Sequence, residues 1–368
     1  MTSPGRWLHT SLHSPALEGN ALGDPADRDI EVYLPPGYDD EPARRYPAVY
    51  VIQGYLGQLA SWHAHTPYRD TFPVQVDRLF TDGLASLGRQ VGRLDDGVDP
   101  GVPPPCVVVL VDAWTSVGGS QYVDSPGTGR YHSYLCEDVV SFVDATVRTI
   151  AARGSRAISG KSSGGFGAMI TPMWRPDLFG ALATHAGDSL YEYCYLPQFA
   201  RCVRALAPHG GAMQAFLDDF AARPALSRPD DADLLVAHGV AACFSAEADG
   251  TVQLPFDPVS GVLRAEVWQR WLDLDPVRMV PGHAAALRGL RGIWVDAGVR
   301  DEYFLDLGAR AFLDALREVG VDGGATGPRL HSAFPDATHG SVDSRYPQSL
   351  AWLASVLDGS DGAGGDGR

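Results

Sequence analysis

Short apolar segments alternate with helical patterns along this chain, and that alternation limits the folds it can adopt. Two of the segments, Ala48–Ile52 and 106–111, are continuously apolar and rich in β-branched residues. Such runs are typical of parallel strands that are buried on both faces, because a strand with one exposed face alternates apolar and polar residues. The pattern favours an α/β fold with a mostly parallel central sheet flanked by helices.

The remaining predicted elements continue this alternation. Residues 7–13 and 28–34 alternate apolar and polar side chains, which predicts an antiparallel pair of strands at the start of the sheet. Further strands are predicted at 156–159, 181–185, 292–296 and 329–334. Helices are predicted at 137–152, 163–173, 302–319 and 345–357.

The alternation stops between residues 188 and 286, where several amphipathic helical patterns and a proline-rich patch occur. We interpret 188–286 as a helical cap inserted into one α/β domain, which is formed by 1–187 and 287–358. A second independent domain is the alternative interpretation. The last segment, 359–368, reads GSDGAGGDGR and is predicted to be disordered because it offers almost no apolar surface to bury.

Charge and cysteine content exclude several classes of protein. The chain has 368 residues and a net charge of −16, which disfavours binding to nucleic acids or to anionic membranes. Its five cysteines are scattered without a C-x-x-C pair, so neither a disulfide framework nor a zinc site is indicated. The first residues lack the apolar core of a signal peptide, and no apolar run is long enough for a transmembrane helix. We therefore expect a cytoplasmic protein.

The stretch ISGKSSGGFGA, residues 158–168, contains the only lysine of the chain and has two interpretations. The pair Lys161 and Ser162 could end a phosphate-binding loop, G-x-x-x-x-G-K-[ST]. That motif requires a glycine at position 155, where this chain has Ser155, and the residues between look like a strand. A phosphate-binding loop is therefore disfavoured.

The second interpretation is a nucleophile elbow, G-x-S-x-G, in which Ser162 lies on a tight turn between a strand and a helix. Gly160 and Gly164 supply the small residues that the close approach of strand and helix requires. The neighbouring Ser163 does not fit, since Lys161 would take the place of the first glycine. Ser162 is therefore the predicted nucleophile.

An acid and a histidine should follow the serine along the chain. Asp301 comes shortly after the predicted strand 292–296, and His339 lies between the last predicted strand and the last helix. Residues beyond the carboxyl ends of parallel strands meet at one edge of the sheet. We therefore predict Asp301 and His339 as the partners of Ser162. The alternatives are Asp296 as the acid and a helix-capping role for Asp301.

A serine nucleophile also requires N–H groups that stabilise negative charge on the attacked carbonyl oxygen. The N–H of Ser163 is one predicted donor, because it directly follows the nucleophile. The N–H of Tyr55 is the other, since Gly54 allows the backbone to turn after the strand Ala48–Ile52. An ordinary turn at the end of that strand is the alternative.

With these residues the chain resembles the esterase D-like family of α/β-hydrolases, which includes enterochelin esterases, feruloyl esterases, S-formylglutathione hydrolases and mycolyl transferases. The segment 48–54 with Trp62, the elbow, Gly298-x-x-Asp301 and His339-Gly340 carry the resemblance. It implies an α/β-hydrolase fold, the triad Ser162, Asp301 and His339, and no metal or organic cofactor. This chain departs from the family at Gln53 and Lys161, where histidine is common.

The predicted function is hydrolysis of a small carboxylic ester through an acyl-enzyme intermediate. An acyltransferase that uses the same triad with an alcohol acceptor is the alternative, and an inactive binding protein on this fold is a third hypothesis. A homo-oligomer is left open. Candidate pocket residues are the aromatic side chains Trp62, Trp114, Tyr122 and Tyr131. We expect Lys161 to support the elbow through an ion pair, with Asp112 or Asp188 as its partner.

Overall fold

An eight-stranded sheet forms the centre of the computed structural model, which describes residues 2–325 and 327–358. The strands are β1 (Arg6–His13), β2 (Asp27–Leu34), β3 (Ala48–Ile52), β4 (Val107–Val111), β5 (Asp124–Ser125), β6 (Gly129–Arg130), β7 (Arg156–Lys161), β8 (Ala181–His185), β9 (Gly292–Asp296) and β10 (Arg329–Ala333). The order in the sheet is β1-β2-β4-β3-β7-β8-β9-β10, and β5 pairs with β6 separately. Within the eight-stranded sheet the pairs β1–β2 and β2–β4 are antiparallel and the others are parallel, and the separate pair β5–β6 is antiparallel. The predicted fold class is confirmed.

Apolar side chains on both faces of β3 explain its unbroken apolar sequence. Val49 and Val51 belong to one hydrophobic core, whereas Tyr50 and Ile52 belong to the core on the opposite face. Successive side chains of a strand point to opposite faces, so a strand between two cores needs apolar residues at every position. Such a strand has no solvent-facing side, and this fixes β3 at the centre of the molecule.

Helices cover both faces of the sheet. Their bounds are α1 (Leu59–Trp62), α2 (Phe72–Asp82), α3 (Tyr131–Ser133), α4 (Val140–Thr146), α5 (Ser163–Trp174), α6 (Tyr191–Cys194), α7 (Leu196–Leu206), α8 (Met213–Ala221), α9 (Asp231–Phe244), α10 (Ala265–Leu272), α11 (Pro276–Met279), α12 (Ala284–Arg288), α13 (Leu305–Glu318) and α14 (Tyr346–Asp358). A π-helical turn, Tyr134–Val139, joins α3 to α4. Helices α2 and α14 pack on one face, and α4, α5 and α13 pack on the other.

One helix differs clearly from its prediction. The predicted helix 137–152 starts earlier, as α3, and ends at Thr146, where Val147 adopts an extended conformation. The chain beyond this point pairs with Tyr46, whose N–H donates to Arg148 O at 2.9 Å and whose carbonyl accepts from Ile150 N–H at 2.9 Å. This backbone pairing replaces helical hydrogen bonds, and side-chain periodicity carries no sign of it.

The segment between β8 and β9 is helical and contains α6 to α12. Helix α7 packs against α9, while α11 and α12 pack against α5 on the sheet. The predicted tail 359–368 lies outside the described residues. Within 2–325 and 327–358, no helix is both long and apolar enough to cross a bilayer.

Candidate active site

The turn between β7 and α5 holds Ser162 in a strained conformation. Ser162 has φ 57° and ψ −126°, a region that side-chain-bearing residues rarely adopt. Its N–H is fixed by the carbonyls of His185 and Ala186, at 3.0 and 3.1 Å. Strain of this kind persists only where the surrounding structure imposes it, and it places the Ser162 side chain at the end of the sheet.

Close backbone contacts explain the two glycines that flank Ser162. A Cβ atom on Gly160 would collide with the carbonyl of Gly164. A Cβ atom on Gly164 would collide with the carbonyl of Ile52 at the end of β3. Helix α5 therefore begins closer to β3 and β7 than any side chain would allow, as the G-x-S-x-G spacing predicts.

Asp301 and His339 are brought together by two loops, one after β9 and one after β10. Val299 N–H donates to Pro335 O and Arg300 N–H to Ala337 O, both at 3.0 Å, so the loops are joined by their backbones. Asp301 Oδ2 lies 2.8 Å from His339 Nδ1. The Asp301 side chain is buried, and its other oxygen accepts the N–H of Tyr303 at 2.9 Å. The carboxylate thus orients the imidazole through Nδ1. The other ring nitrogen, Nε2, takes no part in this contact.

Glu302 fixes the backbone of the histidine loop. Its Oε2 accepts the N–H of His339 at 2.9 Å. This hydrogen bond holds the pKa of the Glu302 carboxyl below its usual range. Adjacent acids therefore have separate tasks: Asp301 contacts the imidazole, and Glu302 contacts the main chain of the same residue.

Asp296, the alternative acid, belongs to a different network inside the core. Its carboxylate accepts from His185 Nδ1 at 2.7 Å, Trp294 Nε1 at 2.7 Å and Arg345 Nε at 2.6 Å. His185 Nε2 lies 2.9 Å from Ser349 Oγ on α14, and Asp296, His185 and Ser349 are all inaccessible to solvent. Burial alone would raise the pKa of Asp296, but His185 and Arg345 outweigh it and hold the pKa below its usual range. This network ties β8 and β9 to α14.

Replacing Asp296 should therefore reduce stability. Asp296→Asn removes the buried carboxylate that His185 and Arg345 share, while Arg345 keeps its ion pair with Asp95, and we expect the free energy of unfolding to fall by about 3 kcal/mol. Unfolding in urea, followed by circular dichroism, measures the change. The matched control is Asp314→Asn, at an exposed acid of α13 whose loss should cost less than about 1 kcal/mol. Equal stability of the two variants would contradict a structural role for Asp296.

Lys161 joins the elbow to the histidine loop. Its Nζ lies 2.5 Å from Asp343 Oδ1 and donates to the carbonyl of His339 at 3.2 Å. The expectation of an ion pair with Asp112 or Asp188 is wrong. Asp112 pairs with Arg28 at 3.0 Å instead, and the Lys161 side chain extends toward the loop between β10 and α14. The partner lies 182 residues further along the chain, so sequence proximity gave no indication of it.

A cavity of about 320 Å³ opens at this edge of the sheet. Ser162, Ser163, Tyr55 and His339 line one part of it. The walls come from the helical segment between β8 and β9 and are largely apolar; they include Tyr195, Phe199, Val236, Val240 and Trp271. The predicted serine and histidine therefore share one apolar cavity, which is the usual setting of a small-molecule site.

The four aromatic residues predicted for the pocket do not line this cavity. Trp62 packs against Phe72 and Tyr346 in the hydrophobic core on the face of the sheet that α2 and α14 cover. Tyr122 is buried, and its hydroxyl donates to Gln53 O at 2.8 Å. Tyr131 is buried beside Arg28, whose Nη1 donates to the carbonyl of Trp114 at 3.0 Å. Tyr122 and Tyr131 are part of the hydrophobic core, and the cavity is lined instead by the aromatic side chains of Tyr55, Tyr195, Phe199, Trp271 and Tyr303.

The two predicted N–H donors lie beside Ser162. A Cβ atom on Gly54 would come 3.2 Å from Ser162 Cβ, which places the Gly54–Tyr55 backbone against the elbow. Within the described residues the Tyr55 N–H has no acceptor, while the next N–H, of Leu56, donates to Gly118 O at 2.8 Å. Ser163 begins α5, and N–H groups of a first helical turn have no acceptor inside the helix. Both N–H groups are thus available to an oxygen in the cavity.

Asp188 is a cavity residue that the motif analysis missed as part of the site. Its carboxyl accepts from Ser162 Oγ at 3.4 Å, Ser163 Oγ at 3.3 Å and Tyr195 OH at 2.7 Å. Burial raises the pKa of this carboxyl. Among the described residues, Ser162 Oγ donates to Asp188 and makes no hydrogen bond with His339. The only signal for Asp188 in the sequence was its position three residues beyond the predicted strand 181–185.

Solved structures share this fold over almost the whole chain. A ferulic acid esterase superposes with a TM-score of 0.57 at 18% identity, covering 96% of this chain and 99% of that one. An S-formylglutathione hydrolase from Agrobacterium tumefaciens gives 0.52 at 15% identity, covering 97% and 98%. A fluorophosphonate-binding serine hydrolase from Staphylococcus aureus gives 0.52 at 13% identity, covering 96% and 99%. At these identities the likeness shows the fold.

The family is shown by the sequence itself. The Esterase family model matches residues 20–319, which include the elbow and Asp301. No functionally curated protein matches the chain. The family match and the shared α/β-hydrolase fold agree with the resemblance predicted from the motifs. The chain belongs to the Esterase family and is a carboxylic ester hydrolase.

Proposed function

We propose that the chain hydrolyses esters with Ser162 as nucleophile, His339 as general base and Asp301 as the acid that orients His339. One observation carries the proposal: a serine on a strained strand-to-helix turn shares a cavity with a histidine whose Nδ1 is held by a buried carboxylate. A nucleophile, a base and an orienting group in one apolar cavity are the parts that acyl transfer requires.

The first step requires Ser162 Oγ to turn from Asp188 toward His339. Asp301 accepts the Nδ1–H of His339, so Nε2 is the acceptor for the serine proton. Contacts of this kind are often long or misaligned before substrate binds. His339 then takes the proton while Oγ bonds to the ester carbonyl carbon, and the imidazolium returns the proton to the leaving alkoxide as the C–O bond breaks.

Water completes the cycle in the second step. His339 removes a proton from a water molecule, the water oxygen attacks the acyl carbon, and the proton passes to Ser162 Oγ as the acyl-serine bond breaks. Negative charge develops on the carbonyl oxygen in both steps. The N–H groups of Tyr55 and Ser163 are the proposed donors to this oxygen, because both lie beside Ser162 at the cavity surface.

Lys161 is proposed to keep the nucleophile and the base in register. Its ammonium group bridges Asp343 and the carbonyl of His339, while its own backbone precedes Ser162. A displacement of the histidine loop relative to the elbow would therefore break this bridge. A small misplacement of reacting groups lowers the rate strongly, which gives such a bridge a functional consequence.

Active-site labelling tests the proposed nucleophile. Incubation with a fluorophosphonate and peptide mass spectrometry should find the adduct on Ser162, and p-nitrophenyl acetate should be hydrolysed. An adduct on Ser163 would refute the assignment. Product analysis with added ethanol shows which acceptor takes the acyl group: hydrolysis predicts the free acid, whereas an acyltransferase would form the ethyl ester.

We further propose that 188–286 acts as a cap that limits substrate size over the core formed by 1–187 and 287–358. Side chains of α7, α9 and α10 supply the wall opposite the elbow. Because this wall is apolar, it suits the non-reacting part of an ester.

A size change in this wall should alter selectivity. Ala237 lines the cavity from α9, and Ala237→Phe should lower kcat/KM for bulky p-nitrophenyl esters by about tenfold relative to the acetate, because the larger ring narrows the cavity. The matched control is Ala215→Phe, at an exposed position of α8, which should change no ratio. The cap does not shape the pocket if all substrates change by one factor in Ala237→Phe.

A further inference from the structure

A chain of hydrogen-bonded polar side chains lies along the largely apolar cavity. Gln121 Nε2 donates to Tyr195 OH at 3.3 Å, and Tyr195 OH donates to Asp188 at 2.7 Å. Gln121 is 1% exposed, and its Oε1 has no hydrogen-bond partner in the described structure. A buried acceptor without a donor costs free energy, and Gln121 belongs to the lining of the cavity, so a ligand donor that reached this oxygen would remove that cost.

Among the described residues, no cationic side chain hydrogen-bonds to Asp188. It is 7% exposed, and its partners among the described residues are three hydroxyl groups, two of them from Ser162 and Ser163. A buried carboxyl normally pairs with a cation or keeps its proton, and burial here raises the pKa of Asp188. When Ser162 Oγ turns to His339, one Asp188 oxygen also loses its donor.

The other charges at the cavity surface favour a cation. Asp233, on α9, adds a second carboxylate to the lining. The ammonium of Lys161 is already paired with Asp343, and no arginine lines the cavity in the described structure. The aromatic residues Tyr195 and Trp271 also line the cavity. A neutral apolar substrate would leave Gln121 Oε1 without a donor and Asp188 without a cation.

We propose that the substrate is an amino ester: its acyl group carries an ammonium on the carbon α or β to the scissile carbonyl, and Asp188 and Gln121 bind it. This rests on the proposed function of Ser162. Asp188 lies 3.4 Å from the attacking oxygen, so a donor in contact with its carboxylate is only one or two carbons away from the attacked carbonyl. An ionised Asp188 alone would oppose the negative charge that forms there, and the ammonium cancels this repulsion.

Two isosteric series of ethyl esters test the charge requirement. The first consists of the esters of alanine, lactate and isobutyrate, which place NH₃⁺, OH or CH₃ on the α carbon. The second consists of the esters of 3-aminobutyrate, 3-hydroxybutyrate and 3-methylbutyrate. Near neutral pH the amino ester should have the highest kcat/KM in at least one series, by about tenfold or more over the methyl analogue. An equal or faster methyl or hydroxyl analogue in both series would overturn the proposal.

Variants assign the recognition to Asp188. Asp188→Asn removes the charge but keeps the size, and the ratio of amino to methyl ester should fall by about tenfold or more. Asp233→Asn, the matched change at the second carboxylate, should reduce that ratio less. An equal fall in both variants would overturn direct pairing with Asp188. Gln121→Met should also lower the ratio of amino to methyl ester. This variant replaces Asp188→Asn as the test if Asp188→Asn does not fold.

The outcomes separate this inference from the proposed function. Fluorophosphonate labelling of Ser162 and hydrolysis of p-nitrophenyl acetate test the nucleophile without an amino group. A labelled enzyme that shows no preference in either series would reject the amino ester alone. If the fluorophosphonate does not label Ser162, the assignment of Ser162 as nucleophile is rejected, whatever preference the enzyme shows for amino esters.

Discussion

Ser162→Ala should lower kcat/KM for p-nitrophenyl acetate by roughly 10³-fold or more, because the acyl-enzyme cannot form without Oγ. The fold should persist, since the strained turn is held by the backbone contacts of Ser162 N–H with His185 and Ala186. Steady-state kinetics and fluorophosphonate labelling measure the loss, and circular dichroism checks the fold.

The matched control for this variant is Ser159→Ala on the same strand. The Ser159 hydroxyl is buried and has no hydrogen-bond partner in the described structure, so its loss should change neither activity nor fold. Residual activity of Ser162→Ala above a tenth of the parent's would contradict the assignment of Ser162.

Asp301→Asn should reduce kcat by roughly 10³ to 10⁴-fold at an unchanged fold. An amide in place of the carboxylate can donate to His339 Nδ1, which puts the ring proton on Nε2 and removes the acceptor for the serine proton. The measurements are kcat and the free energy of unfolding for Asp301→Asn, with the neighbouring Glu302→Gln as control. The control should lose much less activity, because Glu302 contacts only the backbone of the histidine.

A comparison of the two candidate acids gives the sharper test. Asp296→Asn should lose stability while its folded fraction keeps most of its activity, since Asp296 contacts His185 and not His339. The opposite result would be a folded but inactive Asp296→Asn enzyme and an active Asp301→Asn enzyme. It would show that Asp296, and not Asp301, is the acid required for activity.

Local chemistry made parts of this molecule predictable. The strand Ala48–Ile52 lies between two hydrophobic cores. Its continuous apolar sequence therefore indicates burial on both faces. The elbow is equally predictable from sequence, because close backbone contacts exclude every side chain at Gly160 and Gly164. The strands 181–185 and 292–296 match the structure residue for residue. In each case the constraint dictates the residue type at the position itself, even where another segment supplies the contact, as Ile52 does at Gly164.

The residues that sequence analysis missed depend on contacts between distant segments. Lys161 pairs with Asp343, 182 residues further along the chain, and Asp188 accepts a hydrogen bond from Ser162, which lies before α5 and β8. The pocket aromatics were misassigned for the same reason. Tyr122 is one of the aromatic residues predicted for the pocket, yet it is buried in the core, and Trp271, from a distant helix, lines the cavity. Residue type and spacing do not encode which of several aromatic rings faces a void.

The buried network of Asp296, His185 and Ser349 has a consequence for recognising enzymes by shape. Its two contacts, 2.7 and 2.9 Å, form a continuous acid–histidine–serine relay, whereas Ser162 makes no contact with His339 among the described residues. A template built on those side-chain distances would select Ser349 and not Ser162, the nucleophile that we propose. What separates the two is that Ser349 lies sealed inside a regular helix, while Ser162 opens to a cavity from a distorted turn. Solvent access and main-chain distortion are thus better criteria for a reactive serine than a short list of interatomic distances.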